Sequence, residues 1–362
     1  MKKISSLIIF ATLFILSACA TNYEEEKTVL LTNAETPDLV SSFDVDKDKA
    51  EGLVAKPVDL TAAPATEVKA VEKNPAKKAG KEVTKKTKDK KTVAAPVVAA
   101  APATEVAEYP EEFKGYDIKS KLVWDKFKPV FYEGEQSIMS ISYLGVTAGH
   151  ITITSQNVVT LKNKLAYHYF ARFKSNDSYR YFYWLDDKLD TYIEKETFLP
   201  MKYSLTQREK KQNVDDLQLF DFEKLMTYHW YKRVKEGSNK EEKIEKPIPR
   251  YAQDSFAALQ LVRGLPLIKG DIYEFPVVTR GKIWLLKVEV LGEDLINVGN
   301  KEVKAIKIKA ETNFPGVLKK SGDIIFWYGN DQEKRLLKFQ AKIKIGSVFG
   351  ELVEYKPGKL VK

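Results

Sequence analysis

The chain has one cysteine in 362 residues. An internal disulfide is excluded, so the folded part must hold together through a core. Histidine is almost as scarce. His150, His168 and His229 lie far apart in sequence, whereas metal sites usually show clustered ligands such as His-x-x-x-His. Two of them sit beside tyrosine and tryptophan, and the plain reading is buried or half-buried strand histidines with no metal. There is no Gly-x-Ser-x-Gly elbow and no phosphate-binding loop. No motif calls for a cofactor. The net charge is +9, yet no nucleic-acid motif accompanies it, so nucleic acid is not an expected partner. Aromatic residues are nearly absent between residues 19 and 108, where Tyr23 and Phe43 stand alone.

What is present begins at the first residues. Lys2 and Lys3 make a positive start, and Ile4 to Leu16 form a short apolar run. A bilayer core needs roughly 20 apolar residues, so this run suits a cleaved secretory signal better than a span. Leu16-Ser17-Ala18-Cys19 follows and resembles the lipobox of bacterial lipoproteins. The resemblance implies cleavage between Ala18 and Cys19, with the Cys19 thiol carrying a diacylglycerol and the new amine an acyl chain, palmitate being typical. Several chains on one residue make a stable anchor, at about 0.8 kcal/mol per buried CH₂. Ala20 stands where an Asp would favour retention in the inner membrane, which points to the outer membrane, facing the periplasm.

Residues 19–108 read as a disordered tether. Residues 20–59 carry ten acidic and four basic side chains; residues 60–91 carry four acidic and ten basic. The heptapeptide Ala-Ala-Pro-Ala-Thr-Glu-Val occurs at 62–68 and again at 100–106, flanking a dense Lys block. Such composition buries too little apolar area to offset chain entropy. A coil of this length spans roughly 50 Å. The Lys block is either a solvated spacer or a contact for something anionic: peptidoglycan, acidic lipid or glycan.

Residues 109–362 form the expected domain, and its period is two. Leu337, Phe339, Ala341, Ile343 and Ile345 alternate with Lys338, Gln340, Lys342 and Lys344. Met139, Ile141 and Tyr143 alternate with serines, and Met201, Tyr203 and Leu205 with Lys202, Ser204 and Thr206. Trp284 to Val290 and Ile306 to Ala310 repeat the pattern. One apolar and one wet face is what an antiparallel sheet requires. Turns are expected at Leu144-Gly145, Asp186-Asp187, Gly292-Glu293-Asp294, Gly299-Asn300, Gly329-Asn330-Asp331 and Gly346-Ser347. Their spacing predicts a mostly β, antiparallel meander. Residues 164–185 read as a hairpin with aromatics on both faces, at the middle of the sheet or lining a cleft. Tyr167, Tyr169, Tyr181, Tyr183 and Trp184 are the candidate ligand contacts. One short helix is expected at 253–263, with Asp254 as N-cap, an apolar stripe of Phe256, Leu259 and Val262, and Gly264 as the stop. The charged residues 236–249 read as a mobile loop.

These stretches resemble a bacterial envelope family known only as domain of unknown function 3108. The resemblance rests on Gly134-Glu135 through Tyr143-Leu144-Gly145-Val146-Thr147-Ala148-Gly149, on Thr197-Phe198-Leu199-Pro200, and on Asp254-Ser255-Phe256 through Gly264-Leu265-Pro266-Leu267. Phe326-Trp327-Tyr328-Gly329-Asn330-Asp331 completes it. It covers nearly the whole domain and none of the tether. It implies an antiparallel sheet folded on itself, like stacked half-barrels, and implies no catalytic mechanism.

Glu133 and Glu135 are the nearest approach to paired carboxylates, since residues two apart on a strand share a face. At the start of a strand, solvated charge is the plainer reading. Asp254 and Arg263 read as a cap and an ion-pair partner. The function expected is a non-enzymatic binding or scaffold module for an envelope component. The alternatives are a polysaccharide hydrolase using carboxylates, and a structural spacer between membrane and wall.

Overall fold

The computed structural model describes residues 37–46, 109–180, 183–313, 324–343 and 346–361. Ala18, Cys19 and the Lys block lie outside the described residues, as does Tyr181. Helices α1 (Pro37–Ser42) and α2 (Glu111–Trp124) come first. Strands β1 (Tyr132–Glu133), β2 (Gln136–Tyr143), β3 (Val146–Ser155), β4 (Val159–Leu161) and β5 (Lys164–Ser175) follow, then the single helical turn α3 (Asp177–Arg180). Next come β6 (Asp186–Glu194), β7 (Pro200–Arg208), β8 (Gln212–Asp221), β9 (Met226–Lys235) and β10 (Lys240–Pro247). Helix α4 (Ser255–Arg263) precedes β11 (Ile272–Thr279), β12 (Lys282–Val298), β13 (Lys301–Asn313) and β14 (Ile324–Gly329). The chain ends with β15 (Leu336–Lys342), β16 (Ser347–Lys356) and β17 (Lys359–Leu360).

Fifteen of these strands make one antiparallel sheet, in the order β10-β9-β8-β7-β6-β5-β3-β2-β16-β15-β14-β13-β12-β11, with β4 paired to β5. Two meanders meet where β2 pairs with β16. The sheet's two edges, β10 and β11, are consecutive in sequence. Laid flat, at about 4.8 Å per strand, those edges would stand roughly 60 Å apart. They do not. A Cβ on Gly281, in the turn between β11 and β12, would lie 2.7 Å from Cγ2 of Ile244 on β10. The sheet curls until its edges approach, and α4 lies inside the curl.

The sequence explains why α4 belongs there. Phe256, Ala257, Ala258, Leu261 and Val262 are all buried, so the helix is covered around most of its circumference. Asp254 accepts hydrogen bonds from the Phe256 and Ala257 amides at 2.7 and 2.8 Å. Gly264 does close the helix, but its backbone is not left-handed. It is needed because any Cβ there would meet the Phe127 ring at 2.2 Å.

Several expectations are corrected. The domain has a second, longer helix, α2, which lies along the edge strand β11 through a Lys119–Glu274 ion pair, with a Lys126–Asp271 pair just beyond their ends. Residues 240–247 are not a loop but the edge strand β10, whose alternating charges discourage pairing with another chain. Asp186-Asp187 is not a turn; both residues begin β6, and α3 makes the connection from β5. Gly292 (φ 116°) marks a bulge inside β12 rather than a turn. Residues 37–46 of the supposed tether are structured: α1 and Phe43 pack on the outer face of the sheet. Among the described residues no helix is long and apolar enough to cross a membrane.

The C-terminal alternation holds over β15, with one refinement. Phe339 and Ala341 are buried and Lys342 is exposed. A bulge opposite Trp327 sends Leu337 into a separate small cluster with Ala305, Trp327 and Leu352. Lys344 and Ile345 lie outside the described residues. Phe339 lies over Gly350 of β16, whose missing Cβ leaves room for the ring. Phe339→Ala is therefore expected to cost about 3–5 kcal/mol in denaturant unfolding. Lys342→Ala is expected to cost under about 0.5 kcal/mol. Equal losses would show that the two faces are wrongly assigned.

Candidate functional site

Three of the aromatic residues expected to meet a ligand are placed in the core. Tyr167, Tyr169 and Tyr183 are buried, with Tyr169 0% exposed. Phe131 stacks on Tyr167 at 4.3 Å and meets Tyr169 edge-on at 5.2 Å. Tyr169 donates to the Val130 carbonyl, and Tyr183 to Glu209. At these three positions, read from the sequence as candidate ligand contacts, the rings are core packing instead. On β5 the odd-numbered residues face α4, so their rings fill the curl. Trp184 is half-buried, and its carbonyl accepts the Lys210 amide.

Glu133 and Glu135 are not paired. Gly134 takes a left-handed conformation (φ 79°) and breaks the strand between them. Glu133 joins the short ribbon with β17, opposite Lys359. Glu135 turns inward and meets Arg263, the last residue of α4, in a bidentate pair with both contacts at 2.7 Å. Tyr355 of β16 donates to the same carboxylate at 2.9 Å, and Arg263 Nε donates to the Glu333 carbonyl at 2.8 Å. A cavity of about 30 Å³, enough for a water molecule or two, adjoins the pair and is lined also by Ser137, Ser155 and Gln260. The network ties the start of β2, the end of α4 and the end of β16. A fully satisfied buried pair costs little to keep and much to break. Glu135→Ala, which strands the guanidinium, is expected to cost about 3–5 kcal/mol in denaturant unfolding. Replacing both partners by apolar residues, Glu135→Leu with Arg263→Met, is expected to cost less than the single change. A double variant worse than the single one would contradict this account.

A second cluster sits at the start of β6. Glu209 is buried and Asp187 half-buried, and the Gln207 side-chain amide donates to each, at 3.2 and 3.1 Å. Tyr183 and Gln212 also donate to Glu209, and the Arg208 amide to Asp187. Burial pushes the Asp187 carboxyl well above its ordinary range, with the neighbouring Glu209 charge adding to the effect; burial raises Glu209 as well. Burial also pushes Asp254 up to about 6, against the hydrogen bonds from Thr191 and the α4 amides.

In all three residues the folded chain holds a proton more tightly than the unfolded chain. Between the ordinary carboxylate range and the raised folded values, folded chains carry more protons, so their contribution to stability falls as pH rises. Asp187→Asn removes one such group while keeping an acceptor for the Arg208 amide. Its melting midpoint is expected to exceed that of the wild type near pH 8, and the gap to narrow near pH 5. A variant that melts below the wild type near pH 8 would show that the ionised carboxylate is stabilising.

The third cluster carries an oriented imidazole. His229 on β9 is 0% exposed, and its Nε2 lies 2.9 Å from Asp216 Oδ1 on β8. Because a carboxylate only accepts, Nε2 carries the hydrogen. Nδ1 has no hydrogen-bond partner among the described residues. Arg280 donates to the other Asp216 oxygen at 3.3 Å and stacks on Tyr231, 4.5 Å from the ring centre. Arg280 lies in the β11–β12 turn, so this cluster joins the two approaching edges. His168 is elsewhere: it stands on the outer face, 2.7 Å from Asp190 and stacked on Tyr192. The three histidines are not brought together. No group of three or more His, Cys, Asp or Glu able to hold a metal occurs among the described residues.

On the outer face is a feature the sequence reading missed: a groove across β4, β5 and β7–β9, occupied by residues 37–46. Its signal was present in β8, where Leu217 and Leu219 are apolar on one face and Val214, Phe220 and neighbours are buried besides. A sheet wet on one side does not need apolar residues on both.

No curated protein matches the chain. The crystal structure of a beta-barrel-like protein of domain of unknown function DUF1849 from Brucella abortus resembles it at 11% identity, with a TM-score of 0.44. That likeness covers 63% of this chain and 99% of the other. A putative exported protein with a YmcC-like fold from Bacteroides fragilis resembles it at 12% identity and a TM-score of 0.30, over 64% of this chain and 98% of the other. The family model described as protein of unknown function (DUF3108) matches residues 139–353. That span runs from within β2 to within β16, more than half of the chain, and the chain belongs to this family.

Proposed function

We propose that the chain is a lipid-anchored envelope protein of the outer membrane, whose β domain is a non-enzymatic binding or scaffold module facing the periplasm. One observation carries the reading of the domain. Its inner acidic groups are engaged in structural cross-links, whereas its outer face offers a groove that holds a peptide segment. Glu135, the carboxylate a hydrolase would need, is held in a bidentate pair with Arg263, which weighs against the polysaccharide-hydrolase alternative. A passive spacer has no use for a built groove. The anchor rests on Leu16-Ser17-Ala18-Cys19, and the Lys block from 77 to 91 suits an anionic wall or lipid partner.

Labelling cells with radioactive palmitate tests the anchor. Wild-type chain is expected to carry label and to sediment with outer membranes, and Cys19→Ser to do neither. Label on Cys19→Ser, or wild-type chain free in the periplasm, would overturn the anchoring.

A further inference from the structure

The groove has a definite shape and a definite occupant. Phe43 is 0% exposed, packed among Leu161, Ala166, Met201, Leu217, Leu219 and Trp230. Leu39, Val40 and Val45 pack around the same cluster. Two lysines close over it. Lys162 lies 4.7 Å from the Phe43 ring centre, and Lys202 donates to the Phe43 carbonyl at 3.0 Å while pairing with Asp44 at 3.2 Å. Lys162 is aimed by its turn: it and Asn163 both take left-handed conformations, which makes the tight two-residue hairpin between β4 and β5.

Backbone pairing completes the seat. Strand β4 pairs with β5 on one side only. Along its other side Val45 bridges Leu161, and the Asp46 amide donates to the Thr160 carbonyl at 3.1 Å. An extended segment added to a free strand edge, with an aromatic anchor in a pocket, is a recurrent mode of peptide recognition. An open cleft of about 520 Å³ runs beside it, lined by Ser41, Ser42, Asp44, Asp46, Lys162 and Asn163 among others. In the floor, the Trp230 indole N–H has no acceptor among the described residues. The occupant is only ten residues long and is separated by residues 47–108 from the domain that receives it.

We propose that this groove is a peptide-docking site that reads an aromatic residue followed by an acidic and an aliphatic residue, and that Phe43-Asp44-Val45-Asp46 is its ligand in cis. Phe43 supplies the apolar anchor, Asp44 the charge for Lys202, and Val45-Asp46 the strand added to β4. This deepens the binding reading by naming a ligand class, and it does not depend on lipidation of Cys19. A ligand in cis competes with any outside peptide through its effective concentration at the groove. An outside peptide of the same chemistry therefore binds well only when the cis segment is disabled.

The test uses the mature chain without lipid and a fluorescent synthetic peptide copying residues 35–48. Phe43→Asp should empty the groove while leaving the sheet intact, which a thermal melt checks. By anisotropy, the peptide is expected to bind the Phe43→Asp chain at least about tenfold more tightly than the wild type. Adding Lys202→Glu to Phe43→Asp should weaken that binding about tenfold, and a scrambled peptide should not bind. In parallel, the Asp46 amide should resist hydrogen exchange in the wild type and lose that protection in Phe43→Asp. Absence of saturable binding to a folded Phe43→Asp chain, equal binding to both chains, or an unprotected Asp46 amide in the wild type would each overturn the proposal. Those failures leave palmitate labelling untouched, so the groove and the anchor fall or stand separately.

Discussion

A single long sheet has two edges, and here one stretch of chain must run from one to the other. Residues 248–271 leave β10 and arrive at β11, and they pass through the interior as α4. That crossing requires the sheet to curl and supplies the apolar helix that fills the curl. It also dictates where polar side chains are tolerated inside. Asp254 sits at one end of α4 to hold its first amides, and Arg263 at the other to hold Glu135. His229, Asp216 and Arg280 stand where the two edges draw together. The Arg263–Glu135 pair and the Arg280–Asp216 contact each join parts of the chain far apart in sequence.

That placement bears on what the domain does. Buried ionisable groups with unusual proton affinity are often a sign of chemistry. In this chain they are engaged by hydrogen-bond partners within the fold, Asp254 by its own helix amides and Thr191, Glu209 by Tyr183, Gln207 and Gln212, and Arg263 by Glu135. The curl is packed with Tyr, Phe and Leu side chains rather than left open around a ligand. Recognition is therefore better served by the outside of the sheet, where apolar residues on β8 and β9 would otherwise face water.

The strands were largely legible. Wherever one face is wet, as on β13 and β15, alternation between Ile or Phe and Lys announces both the strand and its orientation. The Asp254-to-Gly264 helix was legible for a local reason, since its cap and stop act within a few residues. Three features were hidden. The buried side of α2 includes Ser120, and Asp117 sits half-buried along the same helix, while Ile118 is 69% exposed, so its apolar stripe is blurred. Strand β10 carries charge on both faces because it is an edge, and charge read alone suggests a loop. The Arg263–Glu135 pair joins residues 128 apart, a distance over which sequence spacing carries no information. The same limit misplaced the aromatic contacts. Tyr167 and Tyr169 show the correct period, but period alone does not say whether a helix or solvent lies opposite.

Docking of residues 37–46 changes the connectivity of the molecule. The chain between Asp46 and Tyr109 becomes a loop fastened at both ends, one end by covalent continuity with α2 and the other by the Phe43 pocket and the β4 edge. Cutting a loop is not the same as cutting a leash. A single nick between those residues leaves two polypeptides held together by side-chain packing, a lysine pair and a strand edge. The amino-terminal piece, with whatever it is joined to, then stays with the domain for as long as that contact lasts. Its residence is set by a dissociation rate rather than by a peptide bond.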